Sequence, residues 1–166
     1  MTLDLFSASL MLSILLCSLV GGLVFGFAVV VMPGIARLSD RDFLISLREM
    51  DGIIQNNQPV FMLVWAGSVV AIMVTSIIGV QNLSSSQSNL LWLALAFYLL
   101  GVQLPTARFN IPLNNELQKM DVMGLEESEL AIFRSKFETN WNRWNRFRTF
   151  NSIISVALML CLLTES

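Results

Sequence analysis

Four long apolar stretches, each bounded by polar or turn-forming residues, divide this chain and predict four membrane-spanning helices. The first runs from about Leu5 to Met32, the second from Val60 to Val80, the third from Leu90 to Leu104 and the fourth from about Phe147 to Leu163. Crossing a hydrocarbon core of roughly 30 Å takes about 20 apolar residues in a helix. The third run reaches that length only if its helix begins near Ser86. The expected fold is all-α: a membrane-spanning four-helix bundle with amphipathic cytoplasmic helices in the first and third loops. One domain should cover residues 1–166, with spans near 5–32, 60–80, 87–105 and 147–163 and cytoplasmic segments at 33–59 and 106–146.

Local signals place the breaks. Met32-Pro33-Gly34 ends the first apolar run, because proline restricts the residue before it and glycine frees the chain to turn. Ser39 then reads as an N-cap with Asp42 three residues on, and Phe43, Leu47, Met50 and Ile54 follow at helical spacing. That helix either lies on the membrane surface, with Arg41, Arg48 and Glu49 turned to water and headgroups, or packs as a soluble helix would. Asn56-Asn57-Gln58-Pro59 stops it, and Pro105 closes the third run, with Trp92 near the opposite interface. In the long third connection Gly124 is the expected break, and Glu126, Glu127 and Glu129 suit a helix amino end. Beyond it Phe133, Phe137, Trp141 and Trp144 form one aromatic stripe, and no proline or glycine interrupts residues 125–166. A single helix should therefore carry the stripe into the fourth span.

Composition agrees with the pattern. The chain is 55% hydrophobic and 13% charged, against roughly 45–50% and about 25% in soluble domains. Its ten Lys and Arg residues fall in two segments: Arg37, Arg41 and Arg48 after the first run, and Arg108, Lys119, Arg134, Lys136, Arg143, Arg146 and Arg148 after the third. Basic residues stay cytoplasmic during insertion, so both termini are expected on the non-cytoplasmic side, in a bacterial inner (plasma) membrane. The amino end has Asp4 and no basic residue, so it does not read as a cleavable signal peptide. No nucleic-acid footprint is present. Cys17 and Cys161 lie inside apolar runs and read as small buried hydrophobes. The absence of His lowers the odds of His-dependent hydrolysis, haem ligation or a di-iron site, and no metal or cofactor is expected.

Helices in lipid associate through close packing and interhelical hydrogen bonds. Two series of small residues four apart, Ser18, Gly22 and Gly26 in the first helix and Gly67, Ala71, Thr75 and Gly79 in the second, are expected to meet. No span carries Asp, Glu, Lys, Arg or His between its interfaces, which disfavours a proton-coupled pump or ion channel. The denser polar set gathers at the cytoplasmic ends, where Arg108, Asn110 and Asn114 follow the third helix and Trp141, Asn145 and Arg148 introduce the fourth. Amides and guanidinium groups beside indoles can hold a carbonyl or phenol and stack on a flat ring, and they also suit plain interface anchoring.

Val31-Met32-Pro33-Gly34-Ile35, Asn57-Gln58-Pro59-Val60-Phe61, Asn110-Ile111-Pro112-Leu113-Asn114 and the run from Trp141 to Thr149 together resemble the anthrone oxygenase-like family of small four-helix membrane proteins. The resemblance covers nearly the whole chain. It implies that Asn110, Asn114, Trp141, Asn145 and Arg148 line a pocket at the inner membrane boundary. Relatives in polyketide pathways are associated with oxidising an anthrone to an anthraquinone with molecular oxygen, without metal or flavin; Arg148 would then stabilise a substrate anion. No catalytic residue is assigned. The expected function is binding of a small hydrophobic or aromatic amphiphile at the cytoplasmic boundary, the alternatives being a cofactor-free oxygenase, a structural or accessory subunit of a membrane complex, and a passive carrier. Expected partners are the lipid bilayer, such a ligand, and a second copy or complex subunit.

Overall fold

The computed structural model describes residues 4–165, so Met1 to Leu3 and Ser166, the extremes of the expected domain, lie outside the described residues. The described residues form five helices: α1 (Leu5–Ile35), α2 (Asp40–Gln55), α3 (Pro59–Asn82), α4 (Ser85–Gln118) and α5 (Glu127–Glu165). Four of them, all but α2, are long and apolar enough to cross a membrane, and the chain is an integral membrane protein. The starts follow from capping. Asp4 accepts from Ser7 N at 2.7 Å, Ser39 from Asp42 N at 3.2 Å, and Ser84 forms a capping box with Gln87. Pro59 occupies the first turn of α3, where no amide hydrogen is needed. Before it, Asn57 turns the chain at φ 56°, a left-handed conformation that asparagine tolerates.

The spanning helices close a ring in which α1 packs on α3 and α5, and α4 packs on α5 and α3. Its core is apolar, built from residues such as Leu10, Ile72, Tyr98, Val102 and Met159. Hydrogen bonds tie the ring across helices: Ser13 with Thr75 at 2.8 Å, Ser68 with Tyr98 at 2.6 Å, and Ser155 to Ala94 O at 2.8 Å. A second core lies at the end of the bundle that carries the basic residues. There Phe43, Leu44 and Leu47 of α2 are buried against Met32, Leu117, Leu130 and Phe137.

This resolves the two readings of α2 in favour of a packing helix. Arg41 does not turn outward to headgroups: it donates to Val122 O, to Leu125 O at 2.8 Å and to Glu127 Oε1 at 2.8 Å, latching α2 to the α4–α5 connection. That connection turns at Asp121–Gly124, and α5 begins at Glu127 as one uninterrupted helix. On α5 the aromatic stripe divides. Phe137 and Trp141 enter the second core, whereas Trp144 leaves it to stack on Phe109 with centroids 3.6 Å apart.

The small-residue series correspond only on one side. Ala71, Thr75 and Gly79 are buried, and a Cβ on Gly67 would meet Leu16 at 3.4 Å. On α1, however, Ser18 is exposed and Gly22 and Gly26 have no non-local atom within 4 Å of where a Cβ would stand. The face of α1 that packs is instead Phe6, Leu10, Ser13, Cys17, Val20 and Val24, so hydrogen bonding and larger side chains displace the glycine face. Tight approaches include Gly21, whose Cβ would collide with Ser152 Oγ, Gly79, whose Cβ would lie 2.7 Å from Leu91 Cδ2, and Gly101, whose Cβ would lie 2.5 Å from Asn151 Cβ.

Pro33 and Pro105 do not end their helices. Three π-helical turns, Phe27–Val31, Leu99–Gln103 and Thr106–Asn110, are closed by the amides of Met32, Leu104 and Ile111, and the next residue is in each case Pro33, Pro105 or Pro112. A proline inside an α-helix clashes with the carbonyl four residues back and cannot donate to it. Widening that turn by one residue moves the carbonyl away and lets the helix continue. Hence α4 runs through Pro105 to Gln118, and the expected break at 105/106 is absent.

Candidate functional site

A cavity of about 300 Å³ lies between the two cores, at the small end of the roughly 300–1,000 Å³ usual for small-molecule pockets. Every helix contributes. Leu23, Val24 and Phe27 come from α1, Leu47, Asp51, Ile54 and Gln55 from α2, and Phe61, Met62 and Trp65 from α3. The polar side is built by α4 and α5. The wide turn Thr106–Asn110 presents Thr106 and Asn110, Asn114 follows one turn on, and Trp141, Asn145 and Arg148 share one face of α5.

Arg148 is only 6% exposed. It donates to Thr106 Oγ1 at 2.9 Å and to Asn145 Oδ1 at 2.7 Å, and its guanidinium lies 5.8 Å from the Trp141 ring centroid. Among the described residues no carboxylate comes within ion-pair distance of it, and Arg148 Nε and Asn110 Oδ1 are buried with no hydrogen-bond partner. Burying an unpaired charge ordinarily costs several kcal/mol. Asn145 is held by its own donation to Val24 O at 2.9 Å, which orients the oxygen towards Arg148. Thr106 donates to Val102 O at 2.7 Å and so presents its lone pairs to the guanidinium.

At the other end Trp141 Nε1 donates to Asn114 Oδ1 at 3.0 Å, and Asn114 Nδ2 donates to Asp51 Oδ1 at 2.7 Å. Asp51 Oδ2 accepts from Gln118 at 2.9 Å and from Gln55 at 3.3 Å. Phe27 tilts over Trp141 with centroids 5.6 Å apart.

A family profile of anthrone oxygenases matches residues 53–158, nearly two thirds of the chain. The chain belongs to the anthrone oxygenase family. No curated protein and no solved structure matches it. The match within this family begins in the last turn of α2, so Asp51 and the α1 wall of the cavity lie before it.

Five of the six candidate binding residues, Asn110, Asn114, Trp141, Asn145 and Arg148, line this single cavity. Arg108 does not. It is exposed on the outer side of α4, in a shallow groove with Phe109 and Trp144, because a residue two positions from Asn110 lies on the opposite face of the helix. Sequence reasoning missed Asp51, Thr106 and Phe27. Asp51 had a signal: it stands four residues after Leu47, on the apolar face of α2, where a carboxylate is out of pattern.

Proposed function

We propose that this protein binds a small, flat aromatic amphiphile bearing an acidic oxygen, in the cavity at the basic end of the bundle. The distribution of Lys and Arg favours the cytoplasmic side for that end. One observation carries the reading: Arg148 is buried, faces an apolar cavity and has no carboxylate partner. An anionic ligand oxygen would supply the missing countercharge. The indole of Trp141 offers an aromatic face for a ring beside that anion.

A second reading, oxygenation of the bound ligand, is favoured by the family. An anthrone and one O₂ yield an anthraquinone and one water. Loss of a proton from the ring carbon opposite the carbonyl gives an electron-rich enolate, which is oxidised by O₂ while the O₂ is reduced. Arg148 would stabilise the oxyanion of that enolate, as a preorganised donor set does for developing charge.

The test uses the full chain in lipid nanodiscs with 2-naphthoate as probe and tryptophan fluorescence as readout. Saturable quenching that weakens at least about tenfold in Arg148→Gln is expected, from the loss of a charge-assisted pair. Absence of saturable binding, or equal affinity in the variant, would overturn the binding reading. Oxygen uptake with anthrone no faster than in empty nanodiscs would sink the oxygenase reading and leave binding.

A further inference from the structure

We infer that the cavity is two-poled and selects aromatic ligands with an anionic oxygen at one end and a hydroxyl donor at the other, the second pole being Asp51. This rests on the binding reading above and adds the acceptor that completes it.

Asp51 and Arg148 line the same cavity with opposite charges, yet neither is ion-paired, with each other or with any other described residue. What separates them is one indole and one amide. The guanidinium of Arg148 lies against the Trp141 ring, the indole N–H of Trp141 donates to Asn114, and Asn114 donates to Asp51. Both intermediaries are held at each end, so the poles are kept apart by a chain of side-chain contacts.

A carboxylate offers about four lone-pair positions. Asp51 Oδ2 accepts from Gln118 and Gln55, while Oδ1 accepts from Asn114 alone. One acceptor position on Oδ1 is left, on a group that lines the cavity and has no cation beside it. Every neighbouring bond to Asp51 comes from an amide that points its hydrogens inward, so the carboxylate is oriented as an acceptor. It would repel a second anionic group and favour an O–H donor. A ligand with acid and hydroxyl on adjacent ring atoms cannot reach both poles; one with them on opposite ends of a fused ring system can.

The experiment compares three probes on the full chain in nanodiscs at neutral pH: 2-naphthoate, 6-hydroxy-2-naphthoate and 3-hydroxy-2-naphthoate. The expected result is that the 6-hydroxy compound binds about tenfold tighter than 2-naphthoate, from one charge-assisted hydrogen bond, and that the 3-hydroxy isomer gains nothing. In Asp51→Asn the ratio of 6-hydroxy-2-naphthoate to 2-naphthoate affinity should shrink to about threefold or less. Equal affinity of 2-naphthoate and the 6-hydroxy compound in the unmodified protein overturns the second pole and leaves the binding reading standing. An advantage that survives undiminished in Asp51→Asn does the same. Failure of all three probes to bind overturns both. The isomer comparison needs no variant, so it decides the matter even if Asp51→Asn does not fold.

Discussion

Trp141 and Asn114 are joined by a 3.0 Å hydrogen bond from the indole to the amide oxygen, across the gap between α5 and α4. The bond fixes the plane of the ring that faces Arg148 and the amide that faces Asp51, so one contact sets the geometry of both ends of the cavity. Replacing Trp141 by Phe keeps an aromatic ring and removes the donor. The expected cost is about 1–3 kcal/mol of stability, the usual penalty for a buried polar group losing its partner. Naphthoate binding should weaken with it, and thermal unfolding beside a fluorescence titration measures both.

Arg148 should behave in the opposite way for stability. A buried guanidinium without a countercharge carries a desolvation cost of several kcal/mol, which its removal relieves and which outweighs the roughly 1–3 kcal/mol of leaving Asn145 Oδ1 without its donor. Arg148→Met is therefore expected to unfold at the same temperature or higher, with probe binding lost. A markedly lower melting temperature would show that the arginine is structural.

Glycine positions discriminate between the expected and the observed packing. Gly101→Ala should destabilise by about 1–3 kcal/mol, as overpacking does, because its Cβ would lie 2.5 Å from Asn151 Cβ. Gly22→Ala meets open space and should be neutral or slightly stabilising, alanine being the better helix former. Parallel melting curves in one detergent settle it.

Arg134 ties the α1–α2 connection to α5. It donates to Ala36 O at 2.7 Å, to Leu38 O at 2.9 Å and to Asp40 at 2.8 Å, with Phe43 beneath its guanidinium. Arg134→Ala should cost about 2–3 kcal/mol, given several bonds to a charged donor. Arg134→Lys should not restore it, since a compact ammonium cannot reproduce the planar fork. Hydrogen exchange of the 36–40 segment would report the loosening directly.

The four apolar helices, the capped start of α2, the break around Asn57 and the uninterrupted α5 were legible because each follows from nearest-neighbour chemistry: apolar length, a serine cap, a polar run ending in proline, the absence of proline and glycine. Asn110, Asn114, Trp141, Asn145 and Arg148 were legible as a set because the family-like motifs name them together. Arg108 was misplaced and Thr106 was missed for one physical reason. Residues two apart on a helix lie on opposite faces and residues four apart share one, so Asn110 goes with Thr106 and not with Arg108. Gly22 and Gly26 were misread because spacing shows that small residues share a face, not which neighbour that face meets. Asp51 escaped because its role depends on Asn114 and Gln118, which stand more than sixty residues away.

The pairing of each wide turn with the proline after it has a consequence for how related chains diverge. A wide turn holds one residue more than the α-helical turn it replaces, so losing the proline frees the helix to shed that residue and keep the faces beyond it in place. Homologous sequences compared with this one should therefore show single-residue gaps next to positions 33, 105 and 112 where, and only where, the proline is gone. Such gaps inside a membrane span would otherwise look like alignment errors. Here they would be the footprint of a helix changing its winding to preserve what it points at.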